Sequence, residues 1–199
     1  MDTIKKRLDI WQITAYFAIV ITVISLLVIG TKLTGYATNA VVNVSIEQRA
    51  YINFTFDEIN FGPGNIDSGE SNATIDTLGN VINGNWTPVS NGFTIENLGN
   101  VNVSLDLKTD KNATDFLGGQ NPRYQYNISN LESGSCSLGL ISLGEWYEVN
   151  KTGDGTRICN LFQYTDSRDT IRIDVRLVIP SDASVGIKSD TFTATGTAV

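Results

Sequence analysis

"DTIRIDVRLVIP", Asp169 to Pro180, alternates without a break: Ile171, Ile173, Val175 and Leu177 are apolar, while Arg172, Asp174 and Arg176 between them are charged. Successive side chains of a strand point to opposite faces, so this period of two predicts a strand with one buried and one polar face. The same period recurs on either side. In "GFTIENLGNVNVSLDLKTD", Phe93 and Ile95 share a face, a turn follows at 97–100, and Val101, Val103, Leu105 and Leu107 share the next. "RYQYNISNL" (123–131) and "DTFTATGTAV" (190–199) repeat the pattern.

"VVNVSIEQRAYINFTF", 41–56, reads as one long bent strand or two. Its phase predicts that Val42, Val44, Ile46, Ile52, Phe54 and Phe56 enter a core and that Asn43 and Asn53 face outward. Turn-rich clusters separate the runs: "GPGNIDSGES", "LGNVINGNW", "TDKNATDFLGGQNP", "TGDGT" and "PSDASVG". Short strands with such punctuation, and no helical period after residue 40, predict an all-β chain folded as a single β-sandwich, jelly-roll or Ig-like, behind one N-terminal hydrophobic helix.

That helix is predicted over 10–30, "IWQITAYFAIVITVISLLVIG", which carries no charge. At about 1.5 Å per residue it matches one hydrocarbon core, about 30 Å thick. Lys5, Lys6 and Arg7 in front of it place the N-terminus in the cytoplasm and the rest of the chain outside. The apolar run exceeds the roughly 7–15 residues of a secretory signal, which favours a retained anchor, whereas Ala37 and Ala40 offer a signal-peptidase cut. Both readings stand. The expected organisation is a basic tail at 1–9, a transmembrane helix or signal at 10–30, a stalk or cleavage region at 31–40, and an extracellular sandwich at 41–199.

The exported part is acidic. Removing Lys5, Lys6, Arg7 and Lys32 from 14 basic residues leaves 10, and removing Asp2 and Asp9 from 21 acidic residues leaves 19, a balance of −9. Phosphate backbones are bound by clustered Lys and Arg, so nucleic acid is not an expected partner. Outside the cell, Cys136 and Cys159 are expected to form a disulfide and to staple 136–159 as an excursion from the sheet.

Eight N-x-S/T triplets, at Asn43, Asn53, Asn72, Asn85, Asn102, Asn112, Asn127 and Asn150, mark candidate N-glycosylation sites among 19 asparagines. Asn43, Asn53, Asn102 and Asn127 fall on the polar phase of their strands, where a glycan leaves the core undisturbed. Pro88 stiffens the chain just after the Asn85 triplet.

Catalytic motifs are sparse. With no histidine, Ser-His-Asp triads, H-E-x-x-H zinc sites and imidazole bases are excluded. Carboxylate pairs remain as a hydrolase reading, Asp57 with Glu58 or Glu145 with Glu148, without spacing that sets them at glycosidase distance. Calcium ligands could come from the loops at 67–72, 110–115 or 150–154, but no EF-hand spacing supports them, and no metal or cofactor is expected. Trp86, Trp146 and Tyr147 could stack on sugars, the basis of an adhesin reading, or could pack into the sandwich.

"FTIENLGNVNVSLDLKTD" and "LVIPSDASVGIKSDTFTATGTA" resemble the strand–turn–strand and closing hairpin of small prokaryotic surface β-sandwiches. That group includes archaeal envelope proteins, camelysin/TasA-type fibre subunits and archaeal bundling pilins. The resemblance covers about 40 residues and implies an extracellular domain that assembles into fibres by donating a strand to the next subunit. It transfers no catalytic residue, and the histidine ligands behind camelysin's protease label are missing. The long leader departs from the fibre group, and "KKRLDIW" lacks the small-residue cleavage site of a type IV pilin. The expected role is a non-enzymatic, glycosylated cell-surface structural protein, pilus-like if it polymerises, with copies of itself or other envelope proteins as partners and 10–30 as its contact with the membrane.

Overall fold

The computed structural model describes residues 10–30, 40–137 and 141–199, with the side chains of 26–30 left out. The chain divides into two compact units, Met1–Ser45 and Ile46–Val199. The basic cluster Lys5 to Arg7, the stalk at 31–39 and Ala37 lie outside the described residues.

In the first unit, helix α1 runs Ile10–Gly30, 21 residues without a charge. Three of its hydroxyls bond back along the helix itself: Thr14, Thr22 and Ser25 donate to the carbonyls of Ile10, Ala18 and Ile21 at 3.0, 2.7 and 2.8 Å. Such back-bonding hides hydroxyls from an apolar surround. Every described side chain of α1 is exposed. The description of those side chains ends at Ser25, and among the described residues no helix is long and apolar enough to cross a membrane.

The second unit is built of strands. In chain order they are β1 (Ile52–Phe56), β2 (Asn72–Asp76), β3 (Val81–Ile82), β4 (Phe93–Asn97) and β5 (Val103–Thr109). A short helix α2 (Ala113–Leu117) follows, then β6 (Arg123–Asn130), β7 (Cys136–Ser137), β8 (Tyr147–Glu148), β9 (Thr156–Phe162), β10 (Thr170–Pro180) and β11 (Phe192–Ala198). All pairings are antiparallel, and they form a seven-stranded and a four-stranded sheet.

The stretch 169–180 becomes β10, the spine of the larger sheet. One side pairs with β6 over eight residues. The other is shared, its first half with β4 and its last with β2. β1 lies beyond β4, β3 beyond β2 and β8 beyond β6. The smaller sheet has the order β11-β5-β9-β7. The alternating apolar residues of both sheets meet in one core, where Ile95, Val103, Leu105, Ile128, Ile158, Phe162, Ile171 and Ile173 have no exposed surface. This is an all-β sandwich, as the period of two predicts.

Three local expectations are corrected. Residues 40–51 contain no strand, and Val42, Val44 and Ile46 are 92%, 84% and 83% exposed instead of buried. Their alternation supplies an amphipathic strip but not an edge to pair with, and Phe56 is also exposed. Second, "TDKNATDFLGG" holds a turn of helix, because the Asn112 carboxamide accepts the Asp115 amide at 2.8 Å and caps α2. Third, the disulfide loop is no excursion. Cys136 sits in β7 and Cys159 in β9 of the smaller sheet, while β8 between them pairs with β6 in the larger one. The bridge, with Cα atoms 5.5 Å apart, closes a path that visits both sheets.

Candidate functional site

The feature with the clearest functional content is an edge of the sandwich. β1 is the outermost strand beside β4, and β11 the outermost beside β5. Neither has a second strand partner among the described residues. β11 reads "FTATGTA", so its inward row beyond Phe192 consists of Ala194 and Gly196. Such small side chains do not fill the space between two sheets. A cleft of about 300 Å³ remains there, lined by Ile52, Asn53, Phe54, Asp57, Ile95 and Ala194.

The strip enters the domain at a defined point. The Asn100 side chain accepts the Arg49 amide at 2.6 Å and donates to the Glu47 carbonyl at 2.9 Å, and the Asn100 amide donates to the Arg49 carbonyl at 3.0 Å. Asn97 stiffens the same turn from within: 1% exposed, it donates to the carbonyls of Val101 and Phe162 and accepts the Gly99 amide at 3.1 Å. The "ENLGN" turn therefore ties the two sheets together and holds Glu47 and Arg49 beside it.

Carboxylates gather at this end. Glu96, Glu132, Asp166 and Asp169 repel one another, and burial together with that repulsion pushes the Glu96 and Asp169 carboxyls above their usual range. Glu132 also accepts the Asp169 amide at 2.9 Å. Among the described residues no three acidic or cysteine side chains converge as a metal site. Asp115, in one of the loops considered for calcium, is paired with Lys151, which holds its carboxyl below the usual range.

The eight asparagines fare unequally. Asn43, Asn53 and Asn85 are exposed, and Asn72, Asn102, Asn112 and Asn150 are half-buried. Asn150 uses both ends of its amide in a turn, accepting from Thr152 and donating to Gly155. Asn127 drops out of the set, being only 8% exposed in the middle of β6, opposite Asp174. It does lie on the polar face, but that face is itself covered. Arg172 reaches from β10 to the carbonyls of Thr77 and Ser90, holding that segment near the sheet, and Trp146 lies 4.4 Å from the Arg176 guanidinium.

The aromatic residues proposed for sugar stacking all have protein partners. Trp86 lies against Gly64 and Gly84, where added Cβ atoms would meet its ring within 2.3 and 2.6 Å, so these glycines make room for the indole. Trp146 packs on Arg176, and the Tyr147 hydroxyl accepts the Ser142 amide at 2.9 Å while its ring lies near Tyr126. They are not brought together as one platform. Asp57 and Glu58 are exposed, as are Glu145 and Glu148, the last beside Arg123 at 3.8 Å.

Comparison with family models, with curated proteins and with solved structures finds no match. The class of the chain therefore rests on its own architecture: an all-β sandwich with one disulfide, an open edge and a preceding apolar strip.

Proposed function

We propose that this chain is a glycosylated structural protein of the cell surface whose sandwich assembles with further copies by strand donation. The observation that carries the reading is the exposure of Val42, Val44 and Ile46 in a strip patterned like a strand, in a molecule with unpaired sheet edges at β1 and β11. Exposed apolar edges are liabilities that proteins normally block, and neither a proline nor a lysine guards β1 or β11. Strand addition would supply main-chain hydrogen bonds and bury alternate side chains together.

Location outside the cell is supported by the disulfide and by the uncharged helix behind a basic N-terminus. In this reading 10–30 crosses the membrane during export and either stays as an anchor or is removed near Ala40. Glycans on Asn43, Asn53 and Asn85 would add a hydrated sheath without disturbing the core. No enzymatic role and no nucleic-acid partner is proposed, and neighbours are other copies or other envelope proteins.

The test is to recover the protein from the envelope of producing cells, measure its intact mass and N-terminus, map its glycopeptides and determine its size. A start at Val41, sugar on Asn43 or Asn53 and a polymeric size are expected. A bare, monomeric chain beginning at Met1 or Asp2 would remove the assembly reading and the sheath with it.

A further inference from the structure

We infer that Asn91 is a site of spontaneous amide hydrolysis, converted through a cyclic imide to aspartate and isoaspartate while the domain stays folded. Only two asparagines in the chain precede glycine, Asn83 and Asn91. That pairing is the reactive one, because glycine has no Cβ to keep the asparagine side chain off the following amide nitrogen. The fold treats the two differently.

Asn91 is exposed and lies in irregular backbone between two fixed points. On one side Arg172 donates to the Ser90 carbonyl at 2.9 Å. On the other Phe93 opens β4 and packs on Phe54 and Phe192, with ring centroids 5.8 and 5.1 Å away. Among the described residues no hydrogen bond holds the Asn91 carboxamide or the Gly92 amide. Asn91 also borders a cleft of about 440 Å³, beside Glu58 and Ser90, so water reaches it. Glycine at 92 is required by packing, since a Cβ there would stand 2.6 Å from the Ile173 carbonyl oxygen and 2.7 Å from Asp174 Oδ1. The close approach of β4 to β10 thus fixes the residue that makes Asn91 reactive.

Asn83 is half-buried and held. Its φ is +58, its carbonyl accepts the Asp67 amide at 3.0 Å, and the Asn85 amide donates to the Asn65 carbonyl at 3.1 Å, which locks Gly84 in a bridge to Ile66. Ring closure must turn the asparagine backbone and side chain until Cγ faces the next nitrogen. At 83 that opens the two backbone bonds, and at 91 it opens none.

At 91 the Gly92 nitrogen gives its proton to solvent base and attacks Cγ; the Cγ–Nδ2 bond breaks and ammonia leaves with a proton from water. Water then opens the imide, giving aspartate by addition at Cγ and isoaspartate by addition at the backbone carbonyl. The net change is amide plus water to carboxylate plus ammonium. Each event places a new negative charge in the cleft that Glu58 already lines.

The test ages the full chain, recovered from producing cells, in mildly alkaline buffer beside a sample unfolded in urea. Both are followed by isoelectric focusing and by peptide mapping without deglycosylating enzymes, which make the same mass change at a glycosylated asparagine. In the folded chain, acid at 91, with its isoaspartate labelled by an isoaspartyl methyltransferase, is expected to form about 30-fold faster than acid at 83, the factor for opening two backbone hydrogen bonds. In urea the two rates are expected to converge. Equal rates in the folded chain, or an Asn91 that stays amide when folded and converts only in urea, would overturn the inference. Asn91→Gln, at an exposed position, is expected to remove the acidic species that ageing produces while leaving thermal unfolding unchanged. An acidic species of undiminished strength in that variant would also overturn it.

Discussion

Replacing Cys136 and Cys159 together by alanine tests the covalent link between β7 and β9 of the smaller sheet. The bridge spans 23 positions, so it closes a loop of about 24 residues in the unfolded chain. Chain entropy for that loop amounts to about 11.6 cal/mol/K, or about 3.4 kcal/mol at 25 °C. Both cysteines are buried, at 5% and 0% exposure, and alanine loses little packing volume there. For a domain of this size the loss corresponds to a fall in Tm of about 6–12 °C. With a urea slope of about 1–3 kcal/mol/M, the midpoint falls by about 1–3 M. The assay is urea unfolding followed by the fluorescence of Trp86 and Trp146, with and without reductant. Reduced wild type should unfold with the double variant, and reductant should leave the variant unmoved. A variant midpoint within about 0.3 M of oxidised wild type would refute the reasoning, because the loop would then be restrained in the unfolded state without its bridge.

Asp190 offers a test by pH. Both of its carboxylate oxygens are buried without a hydrogen bond of good geometry, and burial raises its pKa against the opposing pull of the Thr191 and Lys111 amides and the Tyr124 hydroxyl. A raised native pKa means that the folded chain holds the proton more tightly. The associated stability is therefore fully present below about pH 4 and is lost as pH rises through the native value. Asp190→Asn should flatten that slope and match or exceed wild type at neutral pH; urea midpoints from pH 3 to 7 that stay parallel would contradict this. Asp174, 3% exposed, accepts from Thr77 at 2.7 Å and from Arg172 at 2.8 Å, so Asp174→Ala should cost about 3 kcal/mol by removing the buried acceptor of both the Thr77 hydroxyl and the Arg172 guanidinium. A loss below about 1 kcal/mol in equilibrium unfolding would show that water replaces the pair. Gly155 has φ +90, and a Cβ there would stand 2.2 Å from the Leu107 carbonyl oxygen, so Gly155→Ala should distort the β5–β9 edge and lower Tm. An unchanged melting curve would mean that this turn relaxes freely.

The amino-acid sequence by itself determined the class of fold, because one covered face per sheet writes a period of two into the chain. β4, β5, β6, β10 and β11 are legible for that reason. β9 escaped notice because its pairing with β5 slips register between Val103 and Asp106, which buries the consecutive Ile158 and Cys159 and breaks the alternation. β3, β7 and β8, at two residues each, are too short to carry a period. The cysteine pairing was legible from the count alone, but not that its loop crosses both sheets.

The candidate site was half legible. The alternation at 41–46 reports that one face of the strip is apolar, and that is a local property of the chain. Whether such a face enters its own core depends on which edges other strands leave open, and that is decided only when β1, β4, β5 and β11 are assembled. The same holds for Asn127: its phase places it on the polar face, while its burial, at 8% exposure, is decided only by what the assembled fold lays over that face. Sequence periodicity encodes the side of a strand, and tertiary packing decides what lies against it.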